Sequence, residues 1–182
     1  MRTIYLAGPK VFLPDAREVM AGKRRLAEAH GFTVTGPGSD EQEASAGLIS
    51  AQEIYRRNEK AMLDADYCLA NITPFRSISG DVGTVYEIGF MLALKRKVWA
   101  YSNDPRPHGE RVWTDWLRQD GAPQQRGPDG LAIEIHGLTD NLMIDIGILE
   151  SGGQVLRPAA SLSDPARDLT ICEQALALMA KA

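Results

Sequence analysis

Four short β-prone runs alternate with three segments of helical periodicity, and this alternation constrains the fold more than any other feature of the chain. The runs are residues 3–7 (Thr-Ile-Tyr-Leu-Ala), 32–34 (Phe-Thr-Val), 67–72 (Tyr-Cys-Leu-Ala-Asn-Ile) and 98–101 (Val-Trp-Ala-Tyr). Helices are predicted between them, over 15–30, 50–63 and 81–94. Strand–helix repetition of this kind predicts an α/β domain with a parallel sheet and crossover helices. The third run is apolar almost throughout, as expected of a strand covered on both faces. Local signals set the boundaries. Gly8-Pro9 closes the first run, and Gly31 stops the first helix as its C′ residue. Ser50 and Glu53 have capping-box spacing at the start of the second helix. Val19, Met20, Leu26 and Ala27 form the expected buried face of the first.

The pattern weakens in the second half. Residues 103–130 are rich in proline and glycine and read as irregular; 138–151 read as a helix. The last helix is predicted to start at Asp164-Pro165, an N-cap followed by proline at the first helical position. Leu169, Cys172, Leu176 and Met179 would share its buried face. Residues 36–47 combine Gly, Ser and acids, predicting a mobile loop and a candidate lid. At 182 residues, 44% hydrophobic and 24% charged, the chain is expected to be one globular domain over 1–182 rather than a disordered segment.

Composition narrows the function classes. A net charge of −4 argues against a phosphate-backbone binder, so no nucleic-acid partner is expected. Cys68 and Cys172 sit in apolar runs and read as buried free thiols of a reducing compartment. His30, His108 and His136 lack metal-ligand spacing, and no metal is expected. The chain opens on a strand with no apolar leader and has no run long enough to span a bilayer. Cytoplasmic location and no membrane partner are the expectation. The dinucleotide fingerprint, the phosphate-binding loop and the G-x-S-x-G elbow are all absent. Asn71-Ile72-Thr73 matches a glycosylation sequon, but a buried strand end makes a poor acceptor.

The most informative segment is 80–90, Gly-Asp-Val-Gly-Thr-Val-Tyr-Glu-Ile-Gly-Phe. Open parallel sheets bind ligands beyond the carboxyl ends of their strands, where the helix after the third strand begins. Asp81 is placed to cap that helix. Glu87 lies in its second turn, on the face of Gly83 and Thr84, and leans over the glycine gap. A carboxylate there, flanked by Ile88 and Phe90, is a plausible nucleophile; a solvent-facing Glu87 and a merely capping Asp81 are the plain alternative. Tyr5, Asn71, Thr73 and Arg76 gather at the same end of the sheet. Tyr5 could equally be a core residue and Asn71 a turn cap.

These residues resemble a known family. Tyr5-Leu6-Ala7-Gly8-Pro9, Ala65-Asp66, 70–76 (Ala-Asn-Ile-Thr-Pro-Phe-Arg), 81–89 and Asp140-Asn141-Leu142-Met143 look like the nucleoside 2-deoxyribosyltransferases over about residues 1–145. The resemblance implies a flavodoxin-like, doubly wound parallel sheet and a homo-oligomer. It implies transfer of a 2-deoxyribosyl group between the nucleobases of deoxynucleosides, for nucleotide salvage, with no cofactor. Glu87 matches the family nucleophile, Asp81 the acid that holds the sugar hydroxyls, and Tyr5 the tyrosine that steadies the nucleophile. Asn141 matches a residue that reaches the sugar 5′-hydroxyl of a neighbouring subunit. Asn71 falls where some members carry an aspartate near the base, a departure that touches the proton donor to the leaving base. Gly8, Phe12, Asn71, Arg76, Gly83 and Asn141 are the expected substrate contacts. Phe12 would either stack on the base or join the core. Trp113 and Trp116 would form an interface or close the core. The competing activity is hydrolysis of 2-deoxynucleoside 5′-monophosphates on the same fold; a nucleotide-sensing module and a protein with an accidental motif are the others.

Overall fold

The computed structural model describes residues 2–36 and 50–182 of the chain. Strands β1 (Arg2–Ala7), β2 (Phe32–Thr35), β3 (Tyr67–Asn71), β4 (Lys97–Tyr101) and β5 (Val155–Leu156) form one sheet in the order β2-β1-β3-β4-β5, every pair parallel. The helices are α1 (Ala16–Ala29), α2 (Ala51–Leu63), α3 (Val82–Ala93), α4 (His108–Arg111), α5 (Leu142–Glu150) and α6 (Thr170–Met179). The architecture is the flavodoxin-like α/β fold, with helices on both faces.

Alternation along the strands sorts the core into two layers. Tyr5, Ala7, Cys68, Ala70, Val98 and Ala100 face α2, α3 and α5. Ile4, Leu6, Leu69, Trp99 and Tyr101 face α1 and α6. Register places Tyr5 beside Thr35 of β2 and Cys68 of β3. The chain runs from β1 out to β2 and then crosses back to β3 on the other side of β1. The crevice above β1 and β3 is therefore the topological switch point, where such sheets bind ligands. Helix ends agree with the caps read from sequence: Ser50, at the start of α2, accepts from the Glu53 amide at 3.2 Å, and Gly31, just past α1, takes a φ of +82°.

Five expectations need correction. A fifth strand exists, only two residues long between Gly153 and Pro158, too short to carry a periodic signal. The proline-rich stretch contains α4, which starts directly after Pro107 and continues as a wider π turn over Val112–Trp116. Residues 138–141 form a turn, and α5 starts only at Leu142, because Asn141 takes the extended cap conformation. The last helix starts at Thr170, not 165: Asp164 caps an isolated turn, its Oδ1 accepting from the Ala166 and Arg167 amides. Trp113 closes the core with its Nε1 donating to the Asp120 carbonyl, whereas Trp116 is exposed. The buried face of α1 also differs: Lys23 is fully buried among Val19, Met20 and Ala27.

Candidate active site

The β3–α3 connection delivers the acidic residues to the switch point. Asp81 caps α3, its Oδ2 accepting from the Thr84 amide at 3.0 Å and from the Thr84 hydroxyl at 3.3 Å. Glu87 follows one and a half turns later on the side of α3 that meets β1. There Tyr5, completely buried, donates its phenolic O–H to Glu87 Oε1 at 2.6 Å. That length is typical of a hydroxyl bonded to a charged carboxylate.

Electrostatics at the pair are asymmetric. Burial pushes the Glu87 carboxyl up to about 7, and the charge of Asp81 adds to the rise. The Tyr5 hydrogen bond and the positive charge of Lys23 act in the opposite sense. Burial and the Glu87 charge raise Tyr5 far above its ordinary value, so it stays protonated as the donor. Near neutrality Glu87 is partly ionised, poorly solvated and held in one rotamer, the condition of an activated oxygen nucleophile.

Three glycines shape this geometry. Gly36, just past β2, has a φ of +78°, and a Cβ there would lie 2.6 Å from the Tyr5 ring. Gly8, with a φ of +143°, lets the exit of β1 close onto β3; its Cβ would meet that of Asn71 at 2.7 Å. A Cβ at Gly83 would meet Asp81 Oδ2 at 3.0 Å, so that glycine leaves room for the carboxylate.

The remaining predicted residues take varied positions. Asn71 is buried, and its Oδ1 accepts from the Thr73 amide and hydroxyl, as a turn cap does. Phe12 is 59% exposed and stacks on Phe75 with centroids 5.4 Å apart. The Arg76 guanidinium lies over both rings, at 5.9 and 5.0 Å. Arg76 holds a left-handed backbone, φ +53°, a strained conformation for a residue with a Cβ. Asn141 caps α5; its Oδ1 accepts from the Met143 amide and its Nδ2 donates to Glu134. Thus Tyr5 and Glu87 touch, Asp81 heads the same helix, and Phe12 meets Arg76, while the Asn141 side chain is engaged by the Met143 amide and by Glu134. Residues 37–47 of the expected lid lie outside the described residues. Among the described residues no cluster of acidic, His or Cys side chains could hold a metal, and no helix is long and apolar enough to cross a membrane.

Comparison with known proteins decides the family. The nucleoside 2-deoxyribosyltransferase family model matches residues 4–143. The chain belongs to the nucleoside 2-deoxyribosyltransferases. It is 30% identical to the 2-desoxiribosyltransferase of Leishmania mexicana, covering 79% of this chain and 85% of that one, with a TM-score of 0.60. An uncharacterised protein of Schizosaccharomyces pombe is 28% identical over 167 residues, 84% of this chain and 79% of that protein. A CMP N-glycosidase of Clostridium botulinum shares the fold, with a TM-score of 0.52 over 98% and 99% of the two chains, at 13% identity.

For this family member, sequence reasoning gave no site role to Gly36, Phe75, Arg111 or Asp140, although Phe75 and Asp140 lie in the family-like segments. Gly36 follows a strand directly, the position of a close backbone approach. Phe75 sits between Pro74 and Arg76 in the loop already suspected. Arg111 is fully buried, and no sequence signal distinguishes it from a surface charge; Asp140, nearly as buried, stands in the family-like segment 140–143, but only the fold shows its bond to the Gly80 amide.

Proposed function

We propose that the protein moves a 2-deoxyribosyl group from one nucleobase to another through a covalent Glu87–sugar intermediate. The observation that carries this reading is the 2.6 Å Tyr5–Glu87 contact at the switch point, with the carboxyl poised near neutrality. A Glu87 oxygen attacks C1′ of a deoxynucleoside. The new O–C1′ bond forms as the bond from C1′ to the base nitrogen breaks, and the bonding pair leaves with the base. A second base then attacks C1′ from the vacated side and releases Glu87 as the carboxylate; the N–H proton it loses balances the one the departed base takes up, exchanged through solvent. Two inversions retain the β configuration, as in retaining glycosidases. The missing 2′-hydroxyl makes positive charge at C1′ easier to bear. Asp81, at the α3 start, is the group for the sugar hydroxyls. Phe12, Phe75 and Arg76 offer a stacking surface for the base.

The same reading includes assembly of identical subunits. Helices α3 and α5 are apolar on their outer as well as their inner faces, leaving Val82, Tyr86, Met143, Ile146 and Leu149 exposed. An apolar face of this kind belongs against a partner. Asn141 stands at its edge, where it would turn from Glu134 toward a neighbour's sugar.

The test is base exchange. Deoxyinosine with free adenine should yield deoxyadenosine and hypoxanthine without net sugar release, and Glu87→Ala should abolish it. Sugar phosphate released from a deoxynucleoside 5′-monophosphate, with no exchange, would replace transfer by N-glycoside hydrolysis.

A further inference from the structure

The entrance to α3 is tied to a second, buried polar centre 60 residues further along the chain. Asp140 is almost completely buried, and its Oδ2 accepts from the amide of Gly80, the residue immediately before Asp81, at 2.8 Å. Its other oxygen accepts from the amide of Asn141, also at 2.8 Å. One carboxylate therefore grips the residue before the Asp81 cap and the residue that caps α5. The Arg111 guanidinium lies 3.9 Å from Asp140 Oδ2, and neither side chain is exposed.

Arg111 bonds to both chain segments that Asp140 joins. Its Nε donates to the carbonyl of Ile78 in the β3–α3 loop at 2.8 Å, and its Nη2 donates to that of Thr139 at 2.7 Å. Its Nη1 donates to the Arg106 carbonyl at 2.6 Å. Asp145 completes the turn from the other side, its oxygens accepting from the Thr139 and Asp140 amides at 2.7 and 2.9 Å. Loop 73–80 has no helical or sheet hydrogen bonds of its own beyond one turn, from the Phe75 amide to the Ser79 carbonyl. Its end is located by this centre and by packing of Gly80 over Ile72, where a Cβ would come within 3.3 Å.

Burying an ion pair is an expensive way to gain stability, since apolar side chains of similar volume do as well or better. A pair retained at such a place is better explained by the geometry it imposes. We propose that Asp140 and Arg111 are positioning residues, holding the start of α3 so that Asp81 and Glu87 meet the sugar with Asn141 in a fixed relation to both. The proposal rests on the transferase reading. Neither residue touches substrate. Both act through Gly80, Ile78 and the 139–141 turn.

The experiment is the rate and extent of covalent sugar trapping on Glu87, followed by mass spectrometry after mixing with a deoxynucleoside, in the wild type, Asp140→Asn and Arg111→Lys. Asparagine can accept from only one of the two amides through its single oxygen. Lysine keeps the charge but cannot reach three carbonyls. A misplacement of about 1 Å at a reacting centre costs on the order of 100-fold, so labelling should slow by roughly 10- to 100-fold. The final labelled fraction should stay at the wild-type level. A merely structural role would instead lower the labelled fraction and leave the rate of the folded molecules unchanged. That pattern, wild-type kinetics in both variants, or no folded protein from either, overturns the proposal. No trapped sugar on the wild type overturns the transferase reading itself, and the positioning role with it.

Discussion

Replacing Tyr5 by phenylalanine tests the poise of Glu87 with little change of shape. The hydroxyl donates to Glu87 Oε1 at 2.6 Å, and this bond holds the carboxyl down against the burial that lifts it to about 7. A hydrogen bond to a charged group contributes ~1.5–3 kcal/mol, and 1.36 kcal/mol corresponds to one pKa unit, so its loss should raise Glu87 by about 1–2 units. In the proposed mechanism Glu87 attacks as its carboxylate, so it must be ionised. At pH 7 the wild type is about half ionised, whereas Tyr5→Phe would be ionised to only ~1–10% by the same shift. The kcat/KM for a donor whose base does not titrate in this range should therefore fall roughly 5- to 50-fold at pH 7 and recover most of the loss above about pH 9. The profile of initial exchange rate against pH reads this directly. An acid limb that stays at its wild-type position, whatever happens to the maximum rate, would refute the claim that Tyr5 sets the ionisation of Glu87.

Three further outcomes are expected. Gly36→Ala forces a left-handed alanine against the Tyr5 ring and should cost about 2 kcal/mol of stability, with a lowered kcat measurable even below the unfolding temperature. Glu87→Gln should stabilise the fold: a carboxyl raised from 4.5 to about 7 favours the native state below the lower value and loses that advantage as pH climbs through the higher one. The melting difference should be near zero at pH 4, grow toward neutrality and level off at on the order of 2 kcal/mol. Lys23→Met should also stabilise, because Lys23 Nζ is buried without a hydrogen-bond partner among the described residues and burial lowers its pKa. The depressed amine weakens the native state at every pH below its ordinary value, so a gain of ~1–3 kcal/mol should be present at neutral pH and shrink as pH rises toward 10; thermal melts across that range decide it.

What could be read from sequence depended on whether the cause was local. The Asp81 cap, the Ser50 cap and the left-handed Gly31 are short-range devices, and the structure has all three. The adjacency of β1 and β3, which brings Tyr5 to α3, followed from the alternation of elements and the family resemblance. Gly36 against Tyr5 could not be read, because it requires β2 to lie beside β1 and its exit to fold over the neighbouring strand's side chain. Lys23 sits at an interior position of α1 where periodicity admits either an apolar side chain or a polar one at the margin; in the fold it is fully buried, its Nζ 6.0 Å from the centre of the Tyr101 ring on β4. Asp164-Pro165 carries every mark of a helix start, yet the turn it caps ends at once. The carbonyls of Pro165 and Asp168 are instead taken by Asn103, and that of Asp168 also by Lys10.

The pairing of β1 with β3 has a consequence for when chemistry becomes possible. Side chains of a strand alternate, so sliding β1 by one residue would turn Tyr5 toward α1 and α6 and present Ile4 or Leu6 to the acid on α3. Such a misaligned molecule would keep an apolar interior and lack the Tyr5 hydroxyl as a donor to Glu87. Correct strand alignment and the Tyr5–Glu87 hydrogen bond thus arrive together, so the poise of the carboxyl is itself a readout of a correctly registered sheet.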